Sequence, residues 1–174
     1  MIRQSKIEDI DSLMPIFDEA RGTIAALGID QWQNGYPSRE VISADVKKEQ
    51  SYLAELEGEA VATFALIDDG EPTYDEIYSG HWITGDDSRD YVAIHRVAIS
   101  VRCRGSGLSG KIIEYAASFA KKLGRSSLRI DTHKGNLVMR RMLEKNGFVY
   151  CGVIYLKSGE SRVAYEKRLE NLLQ

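Results

Sequence analysis

The chain has 174 residues and a formal net charge of −3, and 43% of its residues are hydrophobic. This length predicts one domain, residues 1–174, that can bury a core of its own. The balance of charge gives no case for nucleic-acid binding. The start is polar and no apolar run approaches a membrane span, so we expect a cytoplasmic protein that binds no membrane. Cys103 and Cys151 have no metal or redox spacing, which favours reduced thiols and no metal site.

Charge is distributed unevenly along the chain. Residues 68–90 carry eight acidic side chains against Arg89, whereas residues 102–125 carry six basic side chains against Glu114. One interpretation is two solvated surfaces. The other is a basic surface for a phosphorylated cofactor and an acidic surface for a cationic substrate. The sequence leaves both interpretations open.

The first elements are predicted from hydrophobic spacing. Residues 1–4 suit a short strand, and Ser5 stands three residues before Glu8, which is the spacing of a capping box. Apolar residues at helical intervals follow, and Gly28 should end this first helix. The pattern therefore predicts a strand and then a long amphipathic helix.

A loop with two aromatic residues, Trp32 and Tyr36, leads to a second helix that should begin at Ser38. Residues 51–57 and 60–67 then predict two strands joined by a polar turn. The acidic stretch after them should be irregular, with a short strand near residues 76–78 at most.

The second half of the chain alternates strands and helices. Residues 91–99, YVAIHRVAI, are apolar on both faces and predict a central strand. A glycine turn and a helix ending at Gly124 follow, and residues 127–132 predict another strand. Asn136 should cap a further helix, and residues 148–155 and 162–169 suit a terminal antiparallel pair. These elements predict a mixed α/β sheet with helices on both faces.

The segment VAISVRCRGSGLSGKIIEYA runs from a strand through a glycine turn into a helix. The first amides of a helix have no partner within the helix, and the helix dipole adds partial positive charge there. Glycine allows a positive φ and a close approach to an oxygen atom. The turn therefore predicts an anion site suited to a pyrophosphate, with a simple tight turn that binds nothing as the alternative.

Two nucleotide motifs also overlap this turn. Gly105 to Lys111 reads G-x-x-x-x-G-K, but a triphosphatase loop needs Ser or Thr next, and Ile112 has the spacing of a core residue. The glycines Gly105, Gly107 and Gly110 match G-x-G-x-x-G, but no doubly wound pattern surrounds them. Both motifs are weak evidence for a nucleotide.

The segment HRVAISVRCRGSGLSGKII resembles the central motif of the GNAT superfamily of N-acetyltransferases. Arg96 to Ile99 match its strand, and Arg104, Gly105, Gly107 and Leu108 match its turn. Ser109 stands where Gly or Ala is usual. Residues 136–148, NLVMRRMLEKNGF, resemble the second motif of the same family. Two linked motifs are more specific than either alone.

The resemblance extends over nearly the whole chain and implies an acyl-CoA N-acyltransferase fold. That fold has a central, mostly antiparallel sheet of six to seven strands flanked by about four helices. It also implies acetyl-CoA as cosubstrate. The residues implied to bind it are Val97, Ala98 and Ile99 for the pantetheine arm, Arg104, Gly105, Ser106, Gly107, Leu108 and Ser109 for the pyrophosphate, and Asn136 for the pantetheine region. Core packing and helix capping are the competing explanations for the strand residues and for Asn136.

The catalytic groups are less well defined. The family transfers the acetyl group directly to an amine, and a Tyr in the second motif often protonates the leaving thiolate, but this chain has Leu143 there. Tyr150 and Tyr155 lie nearby, although packing explains them better. His95 is the best candidate for the base, because a regular strand would place it on the face of Val97 and imidazole titrates near neutrality.

A core histidine is an equal alternative for His95. His81 and Glu76 could act as the base through water. His133 is expected nearer the cofactor, with a purely structural role as its alternative.

Trp32 and Tyr36 could form an aromatic wall for the acceptor, or simply belong to the core. We expect a small, cationic primary amine as the acceptor. The alternatives are a protein lysine or N-terminus, and a non-catalytic module that binds acyl-CoA. The oligomeric state stays open, with a homodimer among the options.

Overall fold

The computed structural model describes residues 1–170, so the last four residues of the predicted domain lie outside the described part. The chain forms two compact units, and the extent of the domain stays a prediction. The first unit comprises Met1–Leu66 and His95–Ile112, and the second comprises Ile67–Ile94 and residues 113–170.

The first unit contains the N-terminal strands and helices. Its elements are β1 (Ile2–Gln4), α1 (Ile10–Ala26), α2 (Arg39–Lys47), β2 (Ser51–Leu56), β3 (Glu59–Ile67, whose last residue belongs to the second unit) and the second half of β4 (Tyr91–Ile99). The strands β1, β2 and β3 form antiparallel pairs in that order. Helix α3 (Leu108–Lys122) begins in this unit, directly after the glycine turn.

Apolar residues at helical spacing bury one face of α1 and one face of α2. The resulting core also takes in one residue from β2 and one from β4. Its buried members are Ile10, Leu13, Ile16, Phe17, Ile42, Val46, Leu53 and Ala98. Trp32, in the loop between the two helices, packs against this core.

The predicted capping box at Ser5 and Glu8 is wrong. A 3₁₀ turn at Ile7–Asp9 precedes α1, and the Asp9 carboxylate accepts the N–H of Lys6 at 2.7 Å. Ser5 is buried, and its hydroxyl accepts a hydrogen bond from the hydroxyl of Ser51 at 3.0 Å. The cap moves by one residue because a pairing with β2 already uses the Ser5 side chain. Asp9 also accepts two hydrogen bonds from Arg3, which lower the pKa of its carboxyl.

The predicted C-terminus of α1 and the predicted N-terminus of α2 are confirmed. Gly28 follows α1 with a φ of 73°, the left-handed conformation of a helix C-terminus. Ser38 caps α2, and its hydroxyl accepts the N–H of Val41.

The second unit contains the C-terminal strands. Its elements are the first half of β4, the later part of α3, β5 (Ser127–Thr132), α4 (Leu137–Lys145), β6 (Val149–Tyr155) and β7 (Ser161–Arg168). The strand order in this unit is β4-β5-β7-β6. Strands β5, β7 and β6 pair antiparallel, whereas β4 and β5 pair in parallel from Tyr91 with Ser127 to Ala93 with Arg129.

An ion pair lies in the core of the second unit. The side chains of Arg129 and Glu166 are 1% and 0% exposed, and their closest N and O atoms are 3.1 Å apart. The guanidinium lies 4.2 Å from the ring centroids of both Trp82 and Tyr91. Burial alone would raise the pKa of the Glu166 carboxyl. Hydrogen bonds from Ser127 and Thr84 and the charge of Arg129 outweigh that effect and lower it.

In the described residues 1–170, seven strands and four α-helices in a mixed, mostly antiparallel arrangement confirm the predicted fold class. The strand predicted near residues 76–78 is reduced to one antiparallel bridge between Tyr78 and Val153. Within residues 1–170, no helix is long and apolar enough to cross a membrane.

Candidate functional site

The glycine turn lies between β4 and α3 in the first unit. A 3₁₀ turn at Val101–Cys103 follows the strand, and the exposed turn from Arg104 to Gly107 leads into α3. Gly105 and Gly107 have φ values of 74° and 78°. A Cβ added at either glycine would meet no atom within 4 Å. Backbone conformation, rather than crowding, therefore requires glycine at both sites.

The turn fits an anion such as a pyrophosphate. Helix geometry leaves the N–H groups of Leu108, Ser109 and Gly110 without an acceptor inside α3. The open space around Gly105 and Gly107 lets a ligand oxygen approach the backbone. The partial positive charge of the helix N-terminus favours a negative ligand there. Ile112 is 1% exposed, so it packs in the core and cannot take the place of a magnesium-binding hydroxyl.

Helix α1 holds the segment before the turn. The Glu19 carboxylate accepts the N–H of Val101 at 2.8 Å, and the guanidinium of Arg104 donates to the hydroxyl of Thr23. Arg102 pairs with Glu59 at 2.7 Å. The two arginines of the turn segment thus have protein partners, and the anion-binding capacity of the turn comes mainly from its backbone.

Strand β4 contains an irregular residue at Arg96, which has a φ of 53°. A left-handed residue inside a strand is typical of a bulge, and it interrupts the alternation of side chains. The regular alternation assumed for His95 and Val97 therefore does not hold. His95, Val97 and Ile99 are each partly buried, whereas Ala98 is buried in the core of α1 and α2.

Arg96 binds two residues that are more than fifty positions before it in the sequence, Asp45 and Tyr36. Its Nε and Nη2 donate to the two carboxylate oxygens of Asp45 at 2.6 and 2.9 Å. Its Nη1 donates to the hydroxyl oxygen of Tyr36 at 2.9 Å. The side chains of Arg96 and Asp45 are only 13% and 11% exposed. Burial raises the pKa of the Asp45 carboxyl, although Arg96 and, less strongly, His95 act to lower it.

The aromatic loop packs in a row on α1. The ring centroids of Phe17 and Trp32 are 6.1 Å apart, and those of Trp32 and Tyr36 are 6.2 Å apart, both with edge-to-face geometry. The Arg21 guanidinium donates to the backbone oxygens of Tyr36 and Pro37. Trp32 therefore both contacts the core and supports Tyr36.

The predicted residues in the second unit have structural partners. The Asn136 Oδ1 accepts the N–H of Met139 at 3.1 Å, which confirms Asn136 as the cap of α4. The His133 ring accepts the N–H of Gly135, and Leu143 is fully buried. Tyr150 and Tyr155 remain about half exposed, with edge contacts to Tyr165 and Tyr78 respectively.

Several carboxylates of the acidic stretch bind within the second unit. Asp75 pairs with Arg89, and Asp86 accepts from His81 and from the N–H of Trp82. Glu76 accepts the hydroxyl hydrogen of Tyr78 at 2.6 Å. These bonds reduce the number of carboxylates available to a ligand. Within residues 1–170, no cluster of three or more His, Cys, Asp or Glu side chains could hold a metal ion.

The model of the acetyltransferase (GNAT) family matches residues 13–148. The chain belongs to this family. A GNAT-family acetyltransferase from Streptococcus agalactiae is 36% identical, with a TM-score of 0.88 over 98% of this chain and 96% of that one. PaiA N-acetyltransferase from Thermoplasma acidophilum, in complex with coenzyme A, is 18% identical, with a TM-score of 0.71 over 97% of this chain and 98% of that one. No curated protein sequence matches the chain.

Membership of the family confirms the enzyme class that the two sequence motifs predicted. The chain is an acetyl-CoA-dependent N-acetyltransferase, and acetyl-CoA is its cosubstrate. Sequence reasoning missed Asp45 and gave no role to the Arg96 side chain. Asp45 stands between Ile42 and Val46 on the buried side of α2, and a carboxylate on an apolar helix face could have signalled a buried partner.

Proposed function

We propose that this acetyltransferase moves the acetyl group from acetyl-CoA to the primary amine of a small, cationic molecule by direct attack. One observation carries the proposal. The aromatic pair of Trp32 and Tyr36 is joined to β4 through Arg96, and β4 leads into the glycine turn of the same compact unit. An aromatic surface for an amine thus lies in the unit that supplies the cofactor turn.

The cosubstrate would lie along the end of β4 and over the turn. Backbone amides from Arg104 to Ser109 would hold the pyrophosphate, and Val97, Ala98 and Ile99 would pair with the pantetheine arm. The parallel pairing of β4 with β5 ends at Ala93, while β4 continues to Ile99, which supports this assignment. The cap of α4 already accounts for Asn136, so its contact with pantetheine rests on the family resemblance alone.

The chemistry would be a direct transfer. The amine nitrogen attacks the thioester carbon, the new C–N bond forms, and the C–S bond then breaks. We assign His95 as the base that removes the proton from the amine, because it adjoins Arg96 and is partly buried. His95→Gln should lower kcat and leave the affinity for CoA unchanged. An unaltered kcat would exclude His95 as the base.

The acceptor class follows from the aromatic loop and the charge of the chain. A cation over the face of Trp or Tyr gains about 0.5–2 kcal/mol. The eight acids of residues 68–90 outnumber their one base, although several of them are paired. Both features favour an amine that carries a second positive charge.

The test compares agmatine with butylamine, which lacks the guanidinium group. We expect kcat/KM to be about tenfold higher for agmatine, and Trp32→Leu should remove most of the difference. Tyr155→Leu is the matched control, because Tyr155 is an exposed aromatic residue of the second unit. Equal kcat/KM values for both amines in the wild type would refute a cationic acceptor.

Two other functions predict different results in the same assays. Higher kcat/KM on lysine or N-terminal peptides than on any small amine would indicate a protein acetyltransferase. Tight acetyl-CoA binding without thiol release would indicate a regulatory module. We also propose a reducing compartment such as the cytoplasm, since Cys103 and Cys151 are free and buried.

A further inference from the structure

The expelled CoA thiolate needs a proton. An alkyl thiol has a pKa of about 8.5, so the thiolate released at neutral pH is protonated before it leaves as a stable product. A side chain that donates this proton in the transition state accelerates the step by about 10²–10⁴-fold. Leu143 is buried and apolar, so the donor lies elsewhere.

The hydroxyl of Tyr36 has the geometry of a donor. Its oxygen accepts a hydrogen bond from Arg96 Nη1 at 2.9 Å. A phenol has one hydrogen and two acceptor sites, so this bond leaves its hydrogen to be donated elsewhere. Within residues 1–170, no acceptor is bonded to that hydrogen. The phenol is only partly buried, which leaves it accessible to a ligand.

Arg96 is arranged to stabilise the phenolate that forms when Tyr36 loses its proton. Asp45 takes the Nε and Nη2 donors of Arg96, which fixes the guanidinium and directs Nη1 at Tyr36. A hydrogen bond from a guanidinium to a phenolate is charge-assisted, so it strengthens as the negative charge develops. Asp45 and Arg96 therefore position the Tyr36 hydroxyl.

The remaining contacts hold the phenol in place. The rings of Trp32 and Tyr36 pack edge to face, and Arg21 donates to the backbone oxygens of Tyr36 and Pro37. Arg96 is also the residue of β4 with a positive φ, between His95 and Val97. Such a residue interrupts the strand and redirects the side chains next to it. Strand β4 thus contains His95, the proposed base, binds Tyr36 through Arg96, and continues into the proposed path of the pantetheine arm.

We propose that Tyr36 is the acid that protonates the CoA thiolate, held by Arg96 and Asp45. As the amine nitrogen bonds to the acetyl carbon, the C–S bond breaks and its electron pair goes to sulfur. The Tyr36 hydroxyl proton passes to that sulfur, and the phenolate accepts from Arg96. The phenolate then regains a proton from water, and His95 passes to water the proton that it took from the amine. The assignment rests on the placement of the cosubstrate given under the proposed function.

Tyr36→Phe tests the acid, and Tyr155→Phe is the control that loses a hydroxyl from a half-exposed ring of the second unit. We expect kcat to fall about 100-fold in Tyr36→Phe and to stay unchanged in the control. Calorimetry at pH 9 with CoA and with desulfo-CoA supplies a readout without turnover. Tyr36→Phe should lower the affinity for CoA about tenfold, which is the loss expected for one hydrogen bond to a charged group. The affinity for desulfo-CoA should not change.

The assignment would be overturned if wild type and Tyr36→Phe bound CoA equally tightly. It would also be overturned if Tyr36→Phe lost the same affinity for CoA and for desulfo-CoA. This comparison needs no acceptor. If the wild type acetylates no small amine, the proposed acceptor class fails, while the difference between CoA and desulfo-CoA still decides the role of Tyr36.

Arg96→Lys separates positioning from a purely structural role. The lysine keeps the charge but loses the fork that joins Asp45 to Tyr36. Its kcat should fall with little change in KM, and Tyr36→Phe combined with Arg96→Lys should be no slower than Tyr36→Phe alone. Independent, additive losses would show that Arg96 does not act through Tyr36.

Discussion

Gly107→Glu gives the sharpest perturbation of the cosubstrate site. Gly107 has a φ of 78°, and a Cβ there would meet no atom within 4 Å. The substitution therefore adds backbone strain of about 1–2 kcal/mol without a steric clash in the protein. It also places a carboxylate at the N-terminus of α3, where we assign the pyrophosphate.

The expected loss of CoA affinity can be calculated from charge repulsion alone. Two unit charges about 5 Å apart in a medium of effective dielectric about 20 repel by about 3 kcal/mol. Since 1.4 kcal/mol is a factor of ten, we expect the Kd for CoA to rise at least about 100-fold. Isothermal titration calorimetry with CoA measures this change directly.

Gly124→Glu is the matched control. Gly124 follows the other end of α3 with a φ of 71°, and a Cβ there would also meet nothing within 4 Å. Both variants should lose about 1–2 kcal/mol of unfolding free energy, but Gly124→Glu should keep its CoA affinity within about threefold. The reasoning is refuted if Gly107→Glu binds CoA as tightly as Gly124→Glu does.

Three further predictions concern the second unit. Arg129→Met should lower the unfolding free energy by about 3–5 kcal/mol, because it leaves the buried Glu166 charge unpaired; a loss under about 1 kcal/mol in urea titrations would contradict this. Hydrogen bonds lower the pKa of Glu166 in the folded state. The stability that its carboxylate contributes is therefore present above the unfolded pKa of about 4.3, and it is lost as pH falls through the folded pKa. Glu166→Gln should make the unfolding free energy depend less on pH in this acidic range. An unchanged pH dependence would exclude Glu166 as its source. Burial raises the pKa of Cys151 to about 11, so iodoacetamide at pH 8 should label it slowly in native protein and rapidly in urea; equal rates would disprove its burial.

Elements with a strong hydrophobic periodicity were predictable from the sequence. Helix α2 begins after Ser38, as predicted, because a hydroxyl at an N-cap and the apolar spacing after it are local signals. The central strand, Tyr91–Ile99, was predicted with the same bounds. The N-terminus of α1 was not, because the Ser5 hydroxyl binds Ser51, which lies 46 residues later.

The site was predictable only in part. The glycine turn is a local feature, so its sequence predicted its geometry. The grouping of Tyr36, Asp45 and Arg96 depends on hydrogen bonds between residues 51 and 60 positions apart, and no short-range pattern encodes it. The positive φ of Arg96 was missed for a related reason. Nothing in the alternation of YVAIHRVAI marks a non-glycine residue with a positive φ.

The most direct test of acetyl transfer is thiol release from acetyl-CoA with a panel of small amines and peptides, with the acetylated product identified by mass spectrometry. The account predicts thiol release with small cationic amines, one acetyl group added per thiol released, and loss of the signal in Gly107→Glu but not in Gly124→Glu. Tight binding of acetyl-CoA with no thiol released by any amine or peptide would contradict it.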